Sequence, residues 1–315
     1  MHLIFDQQVT LSAVLPTSLP SHSVRPMPYG RKLFFAVSSS FLLLIVCVGA
    51  ARPADTPLNP NELVRETVQN ALRVNRDAVH WSYRELVRKD GRLETREVVQ
   101  TAGGTIDRLI AIDNQPLSLD QQKRENARIR ALLADPAEIR RDMQKQREDA
   151  ARQMRMFATF PNAFNYEYAG SEDGLVKLTF QPRPDFIPTS RQEEVFHHLE
   201  GTMWIDPQQK QLARIDGRLI GEVRFGYGLL GHLDKDGVFS VRFTHLESGQ
   251  WVMAALHVEM SGRALLFKTI SVQERRDFED YRRVADTVTL SQAAERLEKE
   301  ATAFRQTAAN TSKPE

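Results

Sequence analysis

Gly201–Gly217 reads GTMWIDPQQKQLARIDG, two short extended runs, Thr202–Ile205 and Lys210–Ile215, on either side of Asp206-Pro207-Gln208-Gln209. Proline holds φ at about −65° and suits the second position of a tight turn. The aspartate before it can accept hydrogen bonds from the turn amides. The stretch therefore predicts a β-hairpin. Further extended runs follow to about Val272, so the expected fold is α+β, an antiparallel sheet built outward from this hairpin.

Working back from it, Gln181–Ser190 carries Pro182, Pro184 and Pro188 and reads as an irregular loop at a sheet edge. Phe164–Gly170 and Leu175–Gln181 form a strand pair turning at Glu172-Asp173-Gly174. Residues 118–157 read as a charged helical insert: Ser118 caps one helix to about Leu133, and Asp135-Pro136 opens another from Ala137 to Phe157. Before it lie strands His80–Lys89, Arg92–Thr101 and Thr105–Ile112, the first two joined at Asp90-Gly91, a strong hairpin signal. A helix capped by Asn61 precedes them, with Leu63, Val64, Val68, Ala71 and Leu72 at helical spacing. Beyond the hairpin, strands are expected at Glu193–Ile205, Lys210–Asp216, Arg218–Tyr227, Val238–Leu246, Trp251–Met260 and Ala264–Val272. The sheet domain spans residues 61–284, and residues 285–315 hold a terminal helix, Leu290–Thr307, and a disordered tail.

The 315 residues are 41% hydrophobic and 26% charged, ordinary for a globular chain, but the first fifty differ. Arg31-Lys32 precede the uncharged run Leu33–Ala50 and then Ala51-Arg52-Pro53, the pattern of a secretory signal, cleaved after Ala50 or Ala51. The run approaches the ~18 residues that begin to span a bilayer, so an uncleaved anchor is the alternative. The segment before Met27 is long for a signal, and Met27 is a candidate start. Residues 1–51 form this leader and 52–60 a proline-rich linker. Cys47 is the sole cysteine, so the remainder has neither disulfides nor thiolate ligands, and export points to the periplasm or envelope of a bacterium. Without Arg25, Arg31, Lys32 and Asp6 of the leader, 42 basic and 41 acidic residues reduce to a net charge of −1, which gives no electrostatic case for nucleic acid.

Chemical motifs are weak. Gly226–Gly231 matches G-x-G-x-x-G, but it lies between extended runs rather than opening a helix, and a bend or bulge explains the glycines better. His257-Val258-Glu259 lacks the cysteine pair of a zinc deaminase. His197 and His198 alternate on an expected strand, and His245 and His257 could approach across neighbouring strands. No serine-hydrolase or zinc-protease motif is present, so a non-enzymatic protein without metal or cofactor is expected. Alternation along the strands puts Trp81, Tyr83, Val176, Leu178, Phe180, Met203, Ile205, Leu219, Val223, Phe225, Val241, Phe243, Leu256 and Val258 on one apolar face.

The order of leader, helix, strands, helical pair and long meander, with G-T-M-W-I-D-P at Gly201–Pro207 followed by Leu212 and Arg214, resembles the LolA/LolB-like envelope lipoprotein-carrier superfamily. The likeness covers roughly Asn61 to Val284. It implies a strongly curved antiparallel half-barrel closed by helices, whose hollow holds acyl chains. The expected ligand is then a lipid or acylated protein lining up against the fourteen residues above, with envelope membrane proteins as further partners. The superfamily also implies an alternative, a sensor or scaffold that binds a protein through the same fold, for which a filled core would speak.

Overall fold

The computed structural model of the chain describes residues 59–74, 79–89, 91–225, 231–264 and 268–311. The expected leader with Cys47, most of the linker and the end of the tail lie outside them. Helix α1 (Pro60–Val74) starts at Asn59, whose carbonyl accepts from Leu63 N and whose side chain accepts from Asn61 N, so Asn59 caps the helix in place of Asn61. Its buried stripe is Leu63, Val64, Val68 and Ala71. A meander follows: β1 (His80–Lys89), β2 (Arg92–Thr101), β3 (Gly104–Ile112) and the two-residue β4 (Gln115–Pro116). Ser118 and Gln121 form a reciprocal capping box on α2 (Leu119–Ala134). Asp135 accepts from the Ala137 and Glu138 amides to cap α3 (Pro136–Ala163), which runs past Phe157 and takes in Pro161.

The rest of the sheet comprises β5 (Phe164–Glu172), β6 (Leu175–Pro182), β7 (Leu199–Asp206), β8 (Gln211–Leu219), β9 (Val223–Phe225), β10 (Gly231–Leu233), β11 (Val238–His245), β12 (Trp251–Ala264) and β13 (Lys268–Val284), before α4 (Leu290–Thr311). The strand expected from Glu193 begins only at Leu199. Arg191–His198 is a 3₁₀ helix, because Glu193 N donates to Ser190 O and its carboxylate accepts from Thr189 N and Oγ1, folding the chain tightly after Pro188. The breaks expected at Gly217 and at Ser261-Gly262 do not occur, since β8 and β12 run through them.

The described strands form one thirteen-stranded antiparallel sheet, ordered β4-β3-β2-β1-β13-β12-β11-β8-β7-β6-β5, with β10 beside β12 and β9 beside β10. The path is open, with β4 and β5 as its two edges. The strongly curved LolA-like half-barrel is therefore not what this chain forms. A half-barrel needs one continuous apolar concave face, whereas here the apolar surface changes sides along the sheet. Register fixes which residues share a face. At β5–β12 the buried set is Phe180, Met203, Ile215, Val241 and Leu256, packed with α1 and the end of α3 in the larger core. At β2 and β3, Val99 and Ile106 lie on the opposite face, under Ala293, Ala294 and Leu297 of α4 and Ile129 of α2. Two cores on opposite faces leave an α+β fold with a broad open sheet.

Candidate functional site

The Gly201–Gly217 stretch forms the expected hairpin of β7 and β8, with Asp206 Oδ1 accepting from Gln208 N at 2.8 Å and Gln209 N at 2.9 Å. Its two terminal glycines pair directly with one another, flanked in the same row by Phe180 of β6 and Phe239 of β11. A Cβ on Gly201 would stand 2.0 Å from the Asp216 carbonyl oxygen and 2.6 Å from the Phe180 ring. On Gly217 it would stand 2.3 Å from the Phe239 ring. Each phenyl ring thus lies over a cross-strand glycine, an arrangement that restores the packing a glycine lacks.

Register places the expected apolar residues on one face. Leu178, Phe180, Met203, Ile205, Leu219, Val223, Val241, Phe243, Leu256 and Val258 all belong to the larger core, and Val176 packs against it. The side chain of Phe225 falls outside the described residues. These groups bury one another beneath α1, Phe157 and Phe160 of α3 and Phe196 of the 3₁₀ helix. Trp81 and Tyr83 share the face at the margin of this core, meeting Tyr281 and Phe278 of β13 edge-on or tilted, and Phe278 in turn packs against the core.

Beside Tyr83 the apolar face carries charge that alternation alone did not disclose. Arg276 lies between Glu85, at 2.9 Å, and Glu274, all three side chains largely buried. Burial on its own would lower the Arg276 pKa; the two carboxylates more than offset it and hold it above the ordinary arginine range. Burial, reinforced by Glu85, pushes the Tyr83 phenol well above its usual value. The Tyr281 phenol is raised too, by burial first, and its hydroxyl donates to Met253 O at 2.8 Å.

A recess of about 640 Å³ opens on the other face of the sheet, over β6, β7, β8, β11 and β12. Thr179, Thr202, Asp216, Ser240 and His257 cross it as one in-register row, each directly opposite the next. At ~4.8 Å per strand the row runs for roughly 19 Å. Ser240 Oγ donates to Asp216 Oδ1 at 2.7 Å, and Arg214 Nε donates to the same oxygen at 3.0 Å. Arg218 pairs with Glu200 along one margin. Arg214, on the lining, lies over Trp204, 4.4 Å from guanidinium to ring centre, and Trp204 donates from Nε1 to Glu172 at 3.0 Å. That bond first, then Lys177, draws the Glu172 pKa below its ordinary value. Alternating donors, acceptors and charges suit a polar, extended ligand. Polarity at every second residue was legible in the sequence, but the row itself depends on four strand registers.

Other residue patterns disperse. Ser240 opposes His257 whereas His245 opposes Trp251, five residues further along β11 and on the other face, so the two histidines do not meet. His257 Nε2 instead contacts Glu259 at 2.9 Å. His197 and His198 sit on the 3₁₀ helix and not on a strand. Of the G-x-G-x-x-G motif, residues 226–230 lie outside the described residues, and Gly231 begins a strand antiparallel to β9 where a nucleotide site would need a helix. Among the described residues no cluster of three or more His, Cys, Asp or Glu is placed to hold a metal ion.

No family model matches the chain, and no curated protein matches it. Among solved structures, a DUF1329 family protein from Desulfovibrio piger aligns with 73% of this chain and 95% of its own, at 10% identity and a TM-score of 0.27. A likeness at that level assigns neither a fold nor a function.

Proposed function

We propose that this chain is a non-enzymatic binding protein of the bacterial envelope, and that its polar recess holds an extended segment of a partner protein. The observation that carries the reading is the placement of open space. The recess is crossed by a row of hydroxyl, carboxylate and guanidinium groups, interspersed with Val238 and the glycine-facing rings of Phe180 and Phe239, whereas the other apolar side chains of the opposite face bury one another. Acyl-chain binding draws about 0.8 kcal/mol from each buried methylene, which requires apolar walls. A polar chain crossing Thr179, Thr202, Asp216 and Ser240 would instead exchange hydrogen bonds with them, with Arg218 and Glu200 fixing its direction. The leader-like start and the otherwise cysteine-free sequence support export.

The test is a photo-crosslinking residue at Thr202 in the chain expressed in a bacterial envelope. One defined partner is expected, captured from Thr202, weakened by Arg218→Glu and absent when the same probe replaces exposed Arg88 on β1. In parallel, native mass spectrometry of residues 52–315 from the envelope reads bound small molecules. Stoichiometric phospholipid or acylated peptide, with no crosslink that depends on Arg218, would overturn protein binding in favour of lipid carriage.

A further inference from the structure

We infer that a second, small cavity between β3, α2 and α4, open at one rim, is a binding site for one small anion of halide size. The reasoning begins at Arg108, only 7% exposed on β3. Its cross-strand neighbour Glu97 is taken by Arg84, at 2.8 Å. Arg108 Nη1 donates to the neutral amide of Asn126 at 2.6 Å, and its Nε is buried with no acceptor. Among the described residues no carboxylate stands within ion-pairing distance of it. An interior guanidinium in that condition is costly unless an opposite charge or an acceptor reaches it.

Arg108 lines a cavity of about 30 Å³ together with Arg305 from α4. Arg305 is likewise engaged by neutral groups, the side-chain oxygens of Gln122 and Thr302. Glu125 borders the same space, but its carboxylate accepts from Arg128 and from Leu109 N. Glu298 stands at the exposed rim. Burial lowers the Arg108 pKa against the opposing pull of Glu298 and Glu125, in keeping with a guanidinium short of a direct partner. A water molecule needs ~10–15 Å³ by the same measure, so the space admits one small ion but no phosphate or carboxylate ligand. Two guanidiniums lining a space of that size select a compact anion, which accepts from the Arg108 and Arg305 guanidiniums and joins α4 to the edge of the sheet.

Crystals of the chain grown in sodium bromide test this directly, because bromide scatters anomalously. The expected result is one anomalous peak in the cavity, within hydrogen-bonding reach of the Arg108 guanidinium, that is lost in Arg305→Gln. In solution, the melting temperature should rise with chloride and level off at saturation, measured against gluconate at constant ionic strength. Arg108→Met should remove that dependence; if it fails to fold, Arg305→Gln, on a partly exposed helix position, reads the same loss. Water-sized density without an anomalous peak, or equal melting curves in chloride and gluconate, would overturn the site.

Discussion

Gly201 and Gly217 occupy adjacent strands at one level, yet a side chain at each meets a different obstacle. At Gly201 the nearest atom is a backbone carbonyl oxygen, which cannot swing aside without shifting β8. At Gly217 it is the ring of Phe239, a partly buried side chain and not backbone. Overpacking in cores costs ~1–3 kcal/mol, with the high end where the neighbour is rigid. Gly201→Ala should therefore destabilise the protein by about 3 kcal/mol and Gly217→Ala by about 1 kcal/mol in urea denaturation. Adding Phe239→Leu should recover part of the loss in Gly217→Ala and none in Gly201→Ala. Equal costs, or rescue of both, would remove the distinction between backbone and ring. The glycines themselves stood in plain view in the sequence. Their pairing did not, because the phenyl rings over them come from two further strands.

At the scale of elements, the parts settled by neighbouring residues were readable. Ser118 announces α2, Asp206-Pro207 the β7–β8 turn, and Asp173-Gly174, both with positive φ, the β5–β6 turn. The far half of β13 was not readable. Gln273–Val284 is QERRDFEDYRRV, a charge-rich run that resembles a solvated segment until β1 is laid beside it. Arg276 then finds Glu85, a partner 191 residues away, and Arg84 reaches Asp280 at 2.9 Å. Removing one member of such a buried group leaves unbalanced charge and typically costs ~3–5 kcal/mol, while replacing the whole group by apolar residues is often neutral. Arg276→Met should lower stability by that amount, and the triple variant Glu85→Leu, Glu274→Leu, Arg276→Met should recover most of it. Comparable losses in both, read from denaturation midpoints, would mean that the ions themselves hold β1 to β13.

For the molecule as a whole, the pairing of the first long strand with the last turns two meanders into one sheet. The chain then crosses from edge β4 to edge β5 through α2 and α3. The 28 residues of α3 measure ~42 Å, against ~43 Å for the nine strand intervals from β3 to β5, which accounts for a helix longer than its apolar stripe suggested. One end packs Ile139 and Met143 beside Gly104, the other sends Phe157 and Phe160 into the larger core, and Gln144–Glu148 between them are exposed. The two cores thus share a continuous sheet and a connecting helix, so damage to either should be felt in both. Leu297 of α4 is fully buried in the smaller core, and Leu297→Ala should cost ~2–5 kcal/mol. Trp81 on β1 and Trp204 on β7, each followed by fluorescence in single-tryptophan versions, should report the same lowered midpoint. A midpoint that falls for Trp81 while Trp204 keeps its own would show that the β1–β13 seam parts first. The recess over β6–β12 would then belong to a unit that stands without the rest of the sheet.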